Sequence, residues 1–185
     1  EEVLVLTHCE GEALEKQDAA LLDRTLGGSL SKLVQSKEFE GKANEVLLYH
    51  TQDKVPAKRL VLAGLGKKSE VTLETIRQAM GSAAKRVRQA KVGSFAVMLP
   101  TVKPNRMSWV EVTQAMVEGA ILGSYQFNHY RSEAASGQDV AEMRILAQQK
   151  DQLRQVTEGV RRGVATAEAT VLRSAVVNAV SRPAG

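Results

Sequence analysis

The chain has 185 residues, 43% of them hydrophobic and 25% charged, with a net charge of +4 and a pI near 9.3. This is the size of one large domain, or of one domain with an appendage. Its apolar runs fall short of the ~20 residues that span a bilayer, no secretory leader pattern opens it, and its single cysteine, Cys9, cannot form an internal disulfide. These features predict a soluble, cytoplasmic protein with no membrane association.

Strand and helix patterns alternate along the chain. Val3 to Thr7 reads as a buried strand, broken by Glu10-Gly11-Glu12. Leu22, Leu26, Leu30, Leu33 and Val34 share one helical face, and Gly27-Gly28 inside that pattern predicts two helices or a bend. Glu45 to Thr51 and Lys58 to Leu65 read as strands joined by a turn at Asp53 to Ala57, where Pro56 excludes helix. Thr72 is the expected N-cap of the clearest helix, with Glu74 in its positive first turn and Leu73, Ile76, Met80 and Val87 at the helical period. Gly93 ends that helix, and Phe95 to Leu99 is a buried strand stopped by Pro100. After a loop from Thr101 to Met107, Ser108 caps a helix through Met116, Ala120 and Ile121 to about Ser124. Arg131 to Gln138 is polar and aperiodic, a loop. Val140 to Leu146, where Glu142 and Arg144 alternate with apolar neighbours, is an expected edge strand.

The last element is long. Leu153, Val156, Val160, Val164, Ala167, Val171 and Ala175 form one stripe, predicting a helix from about Gln149 to Val180, on the order of 45 Å at 1.5 Å per residue. Its final third, with Leu172, Val176, Val177, Ala179 and Val180, is apolar on nearly every side, which predicts a covering partner or a further domain.

Candidate chemistry is sparse. His8 and Cys9 are strand neighbours and point to opposite faces. Neither His50 nor His129 has a second ligand at metal-site spacing, and Asp18, Asp23, Asp53, Asp139 and Asp151 are scattered singly. Gly64-Leu65-Gly66 follows a strand, but Ser69 stands where a dinucleotide fingerprint wants a third glycine, so a tight turn explains the pair better. Gly119 and Gly123 predict close helix packing in a soluble domain. No catalytic, cofactor-binding or metal-ligating residue is assigned. Basic residues gather at Lys67-Lys68, at Lys85, Arg86, Arg88 and Lys91, and at Arg161-Arg162. A nucleic-acid surface is one reading of them; cations complementing a helix C-terminus are the favoured one, since no aromatic residue is interleaved.

The alternation predicts an α/β sheet with helices on both faces, mostly parallel with at least one antiparallel neighbour. Three segments carry a resemblance: Leu26-Gly27-Gly28 before a Leu-rich helix, Leu62 to Lys68, and Glu118 to Tyr130. Together they resemble the N-terminal domain of leucyl (cytosol) aminopeptidases, over roughly Glu1 to Arg131. The resemblance implies a macro-like domain over residues 1–148, then an interdomain linker helix over 149–185 leading to a catalytic domain absent from this chain. Val177 to Pro183 ends on a proline, as the family's junction run does, without its Arg-Asp pair. The family's metal-binding run, Asn-Thr-Asp-Ala-Glu-Gly-Arg-Leu, does not occur here. The resemblance therefore implies a non-catalytic assembly or regulatory domain whose parent, a homohexamer, trims N-terminal residues from peptides. Two divalent ions, zinc or manganese, would sit in the other domain. A nucleic-acid-binding module, possible with DNA, and a macro-like pocket for ADP-ribose or a related nucleotide are the alternatives.

Overall fold

The computed structural model describes residues 2–13, 18–104, 106–125, 140–147 and 149–180, with Asp18 and residues 172–180 in backbone only. The elements run β1 (Val3–Glu10), α1 (Asp18–Thr25), α2 (Ser29–Gln35), β2 (Val46–His50), β3 (Arg59–Lys67), α3 (Leu73–Gln89), β4 (Ser94–Met98), α4 (Trp109–Ser124), β5 (Glu142–Leu146) and α5 (Gln152–Val180). The strands form one sheet in the order β2-β3-β1-β4-β5. β2 lies antiparallel to β3, and every other pairing is parallel. The mixed sheet, its antiparallel neighbour and the position of β5 at an edge are as the patterns predict.

Alternation along the strands divides the core in two. Val3 and Val5 of β1, Val61 and Ala63 of β3, and Phe95 and Val97 of β4 face the α3–α4–α5 side, where they meet Ile76, Met80, Met116 and Val156. Leu6, Leu60 and Leu62 face the other side and pack with Leu26, Leu30 and Phe39 from the α1–α2 region. Helices thus cover both faces. The Gly27-Gly28 pair divides α1 from α2 as expected: both residues have left-handed φ, 68° and 75°, a conformation glycine adopts without steric cost. Because Gly28 offers no capping side chain, Asp23 reaches across from α1. Its carboxylate accepts from the Leu30 amide at 2.8 Å, the Ser31 amide at 3.1 Å and the Ser31 hydroxyl.

Side chains at the predicted caps fix the long helices. Thr72 and Thr75 form a reciprocal capping box on α3, and Ser108 and Glu111 form one on α4. The three helices on this face pack through missing side chains. A Cβ at Gly119 would overlap the Arg77 carbonyl oxygen, and one at Gly123 would overlap that of Gly81. On the opposite flank of α4, Gly159 lies against Val110 and Thr113, and Gly163 against Gln114 and Val117. Both contacts advance by four residues on each helix, so α3, α4 and α5 run parallel. Two buried charges seal the α3–α4 seam. Arg77 grips Glu118 with its Nε at 2.8 Å and a terminal nitrogen at 2.7 Å. Arg88 donates to the Ser124 carbonyl at 3.3 Å, where α4 ends.

One local expectation is corrected. Gly64 and Gly66 do not form a turn after β3; both lie within it. His8 pairs with Gly64 and Glu10 with Lys67, so β3 holds an extra residue opposite β1. That is a β-bulge, with Gly66 at φ 75°. Gly64 is required for a different reason: a Cβ there would run into the Lys42 carbonyl oxygen. The 40–45 loop is pressed on the strand at this point, with Gly64 donating to Glu45 O at 2.8 Å and Gly66 to Gly41 O at 2.9 Å.

Candidate functional site

Most of the chemically capable side chains are consumed by the fold. His8 is buried against Phe39, ring centroids 6.0 Å apart, and its Nε2 has no partner among the described residues. Burial holds its pKa below the ordinary value, against the opposing influence of Glu12, so the ring is neutral. Cys9 faces the other core, and burial, assisted by the Glu12 charge, pushes its thiol up to about 11. A thiol so protonated is a packing group rather than a nucleophile. His50 is exposed at the end of β2, and Asp53 and Asp151 are exposed as well. Asp23 is the cap of α2. His129 and Asp139 lie outside the described residues.

The basic clusters are largely engaged with neighbouring groups. Lys68 meets Glu12 at 2.8 Å and Lys67 meets Glu70 at 3.9 Å. Arg161 and Arg162 both bind Glu158, at 2.8 and 2.6 Å, and these bonds hold its carboxyl at about 2. Arg86 and Arg88 fall in the last turn of α3, as a macrodipole complement should. Arg88 was not separable from that cluster by sequence, because nothing in its spacing announces a buried contact with another helix.

Two cavities among the described residues exceed packing voids. The first, about 430 Å³, lies between α4, α5 and the β4–β5 edge and is lined by Phe95, Val117, Ala120, Met143, Val156 and Val160 among others. The hydroxyls at its wall are already used, Ser124 by Ile121 O at 3.0 Å and Thr157 by Leu153 O at 2.9 Å. Glu142, the carboxylate on its lining, is held by Arg144 at 2.8 Å, so the space offers mainly apolar surface. The second, also about 430 Å³, lies at the carboxyl ends of β3 and β4, between Lys68 and Lys103. No set of three or more His, Cys, Asp or Glu able to hold a metal occurs among the described residues. A two-metal centre needs several carboxylates converging on ions about 4 Å apart, and the side chains described here do not fit one.

The sheet and its helices define a macro-like α/β domain. A macrodomain from Oceanobacillus iheyensis superposes with a TM-score of 0.63 at 12% identity, covering 90% of this chain and 87% of that one. A tomato leucine aminopeptidase mutant superposes at 0.65 and 20% identity, but there the match covers 85% of this chain and only 32% of that one. Sequence narrows the class. Residues 3–134 match the N-terminal domain of the cytosol aminopeptidase family, and the chain belongs to that family. A probable cytosol aminopeptidase of Geobacter sp. (strain M21) is 42% identical over 123 residues, 66% of this chain and 23% of that protein. One from Alkaliphilus metalliredigens is 33% identical over 159 residues, 85% of this chain and 32% of the relative. The chain thus spans a quarter to a third of the length of these relatives.

Proposed function

We propose that this domain is the non-catalytic assembly and regulatory part of a leucyl aminopeptidase. The match of residues 3–134 to the family's N-terminal domain carries the reading. The misfit between the described side chains and a two-metal centre supports it. On this reading the parent is a cytoplasmic homohexamer that hydrolyses the first peptide bond of its substrates. Two divalent ions, zinc or manganese, would be held by a separate catalytic domain and would supply Lewis-acid chemistry there. Residues 1–148 are the macro-like body, and 149–185 lead toward the catalytic domain.

The test compares the purified chain with the full-length product of its gene. Leucine amide hydrolysis is measured with added zinc or manganese, and mass by light scattering. The full-length product turns over and forms a hexamer, and the chain alone shows no metal-dependent turnover. Turnover by the chain, freed of contaminating peptidase, would overturn the assignment.

A further inference from the structure

We propose that the crevice at the carboxyl ends of β3 and β4 binds a small organic anion, a phosphate or carboxylate carried on an apolar body. The inference does not rest on the aminopeptidase reading. Its polar rim consists of Lys68 and Ser69, which follow β3, Thr72 at the head of α3, and Lys103, which follows β4. Its floor is apolar and includes the buried Val71 together with the half-buried Met107. No carboxylate lines it among the described residues.

The two lysines have different parts. Glu12 holds Lys68 at 2.8 Å, which neutralises that ammonium and fixes its position while using one of its three hydrogens. Lys103 pairs with no carboxylate among the described residues; its Nζ stands 5.7 Å from the centre of the Trp109 ring. An aromatic face attracts a cation without compensating its charge. The Glu111 carboxylate feels the Lys103 charge but neither lines the crevice nor forms an ion pair with it, so Lys103 supplies the greater part of the crevice's positive field. Ser69 makes no hydrogen bond to a described residue and is free to donate.

These groups select by class. A bare anion meets the lysines but leaves the floor in water, and a neutral apolar molecule fills the floor but leaves Lys103 unanswered. A cation is repelled. Only a molecule with both an anionic end and an apolar body uses both halves, and about 430 Å³ accommodates one small ring with its substituent.

The test uses the isotopically labelled chain, titrated with phenyl phosphate, phenylacetate, inorganic phosphate and benzyl alcohol and followed by amide NMR. The two aromatic anions should move the Ser69, Thr72 and Lys103 signals. Inorganic phosphate should bind more weakly and benzyl alcohol weakest, with anion affinity falling as salt rises. Tighter binding of phenyl phosphate than of phenylacetate assigns a phosphate ligand, and the reverse order a carboxylate. Lys103→Met should weaken both aromatic anions by about three- to fivefold, and Lys103→Arg should retain them. Equal binding of benzyl alcohol, salt-independent affinity, or shifts confined to other regions would overturn the proposal. So would undiminished affinity in a folded Lys103→Met variant.

Discussion

Over one face of the sheet, α3, α4 and α5 approach to backbone contact because side chains are missing at Gly81, Gly119, Gly123, Gly159 and Gly163. Over the other, α1 and α2 are too short to be stable alone. They are fixed because a side chain is present: Asp23 reaches from one helix to cap the next. The two faces therefore respond oppositely to the same kind of change. Adding one methyl group should wreck the first, and removing one carboxylate should loosen the second.

The largest effect should come from Gly119→Ala. Helix propensity alone favours alanine by about 1 kcal/mol, but the new Cβ would run into the Arg77 backbone carbonyl, a clash that puts the overpacking cost at about 3 kcal/mol or more. Net destabilisation of at least about 2 kcal/mol in urea unfolding is expected. A variant as stable as the parent would mean that the α3–α4 seam can open without cost. Gly64 and Gly66 separate contact from conformation in the same way. Gly64→Ala meets a backbone carbonyl and should cost about 2 kcal/mol. Gly66→Ala mainly meets its left-handed φ and should cost about 1 kcal/mol. If the order is reversed, the bulge rather than the 40–45 loop limits this strand.

On the second face, Asp23→Ala should cost about 1–2 kcal/mol, the worth of a lost cap whose amide partners are partly buried. The loss should appear as faster amide exchange in α2, with α4 little changed. The smallest effect concerns pH. The folded-state pKa of His8 lies below its ordinary 6.5 because of burial. Its neutral form therefore contributes stability above that pH, and the contribution fades as pH falls below it, since the unfolded chain takes up the proton first. The parent should lose more stability between pH 7.5 and 5.5 than His8→Phe does. Parallel melting curves for the two proteins would remove His8 from the account.

Much of this comparison was legible in the sequence, but unevenly. The caps at Thr72 and Ser108, the break at Gly27-Gly28 and the apolar strands rest on local rules, and local rules survive folding. The glycines at 64 and 66 misled because a bulge and a turn ask for the same residue; only pairing with β1 distinguishes them. Gly159 and Gly163 gave no signal at all, since their value lies in what stands across from them. Asp23 likewise looked like one scattered acid among several, and its role depends on the chain reversing at Gly28. At the sites, the crevice between Lys68 and Lys103 joins segments that only the sheet makes neighbours. The apolar final third of the last helix falls where side chains are not described, so the docking role expected of it stays with the proposed function.

The parallel course of α4 and α5 also gives the molecule a geography. Gly159 stands level with Val110 and Gly163 with Gln114 and Val117, so the same step brings Val171 level with the end of α4. Nine more helical residues continue past that point, about 14 Å at 1.5 Å per residue. They leave from the pole where the parallel strands begin. The Lys68–Lys103 crevice opens at the opposite pole, where those strands end. A body tethered through α5 would hang from the southern end of the sheet and leave the northern end open to diffusing molecules.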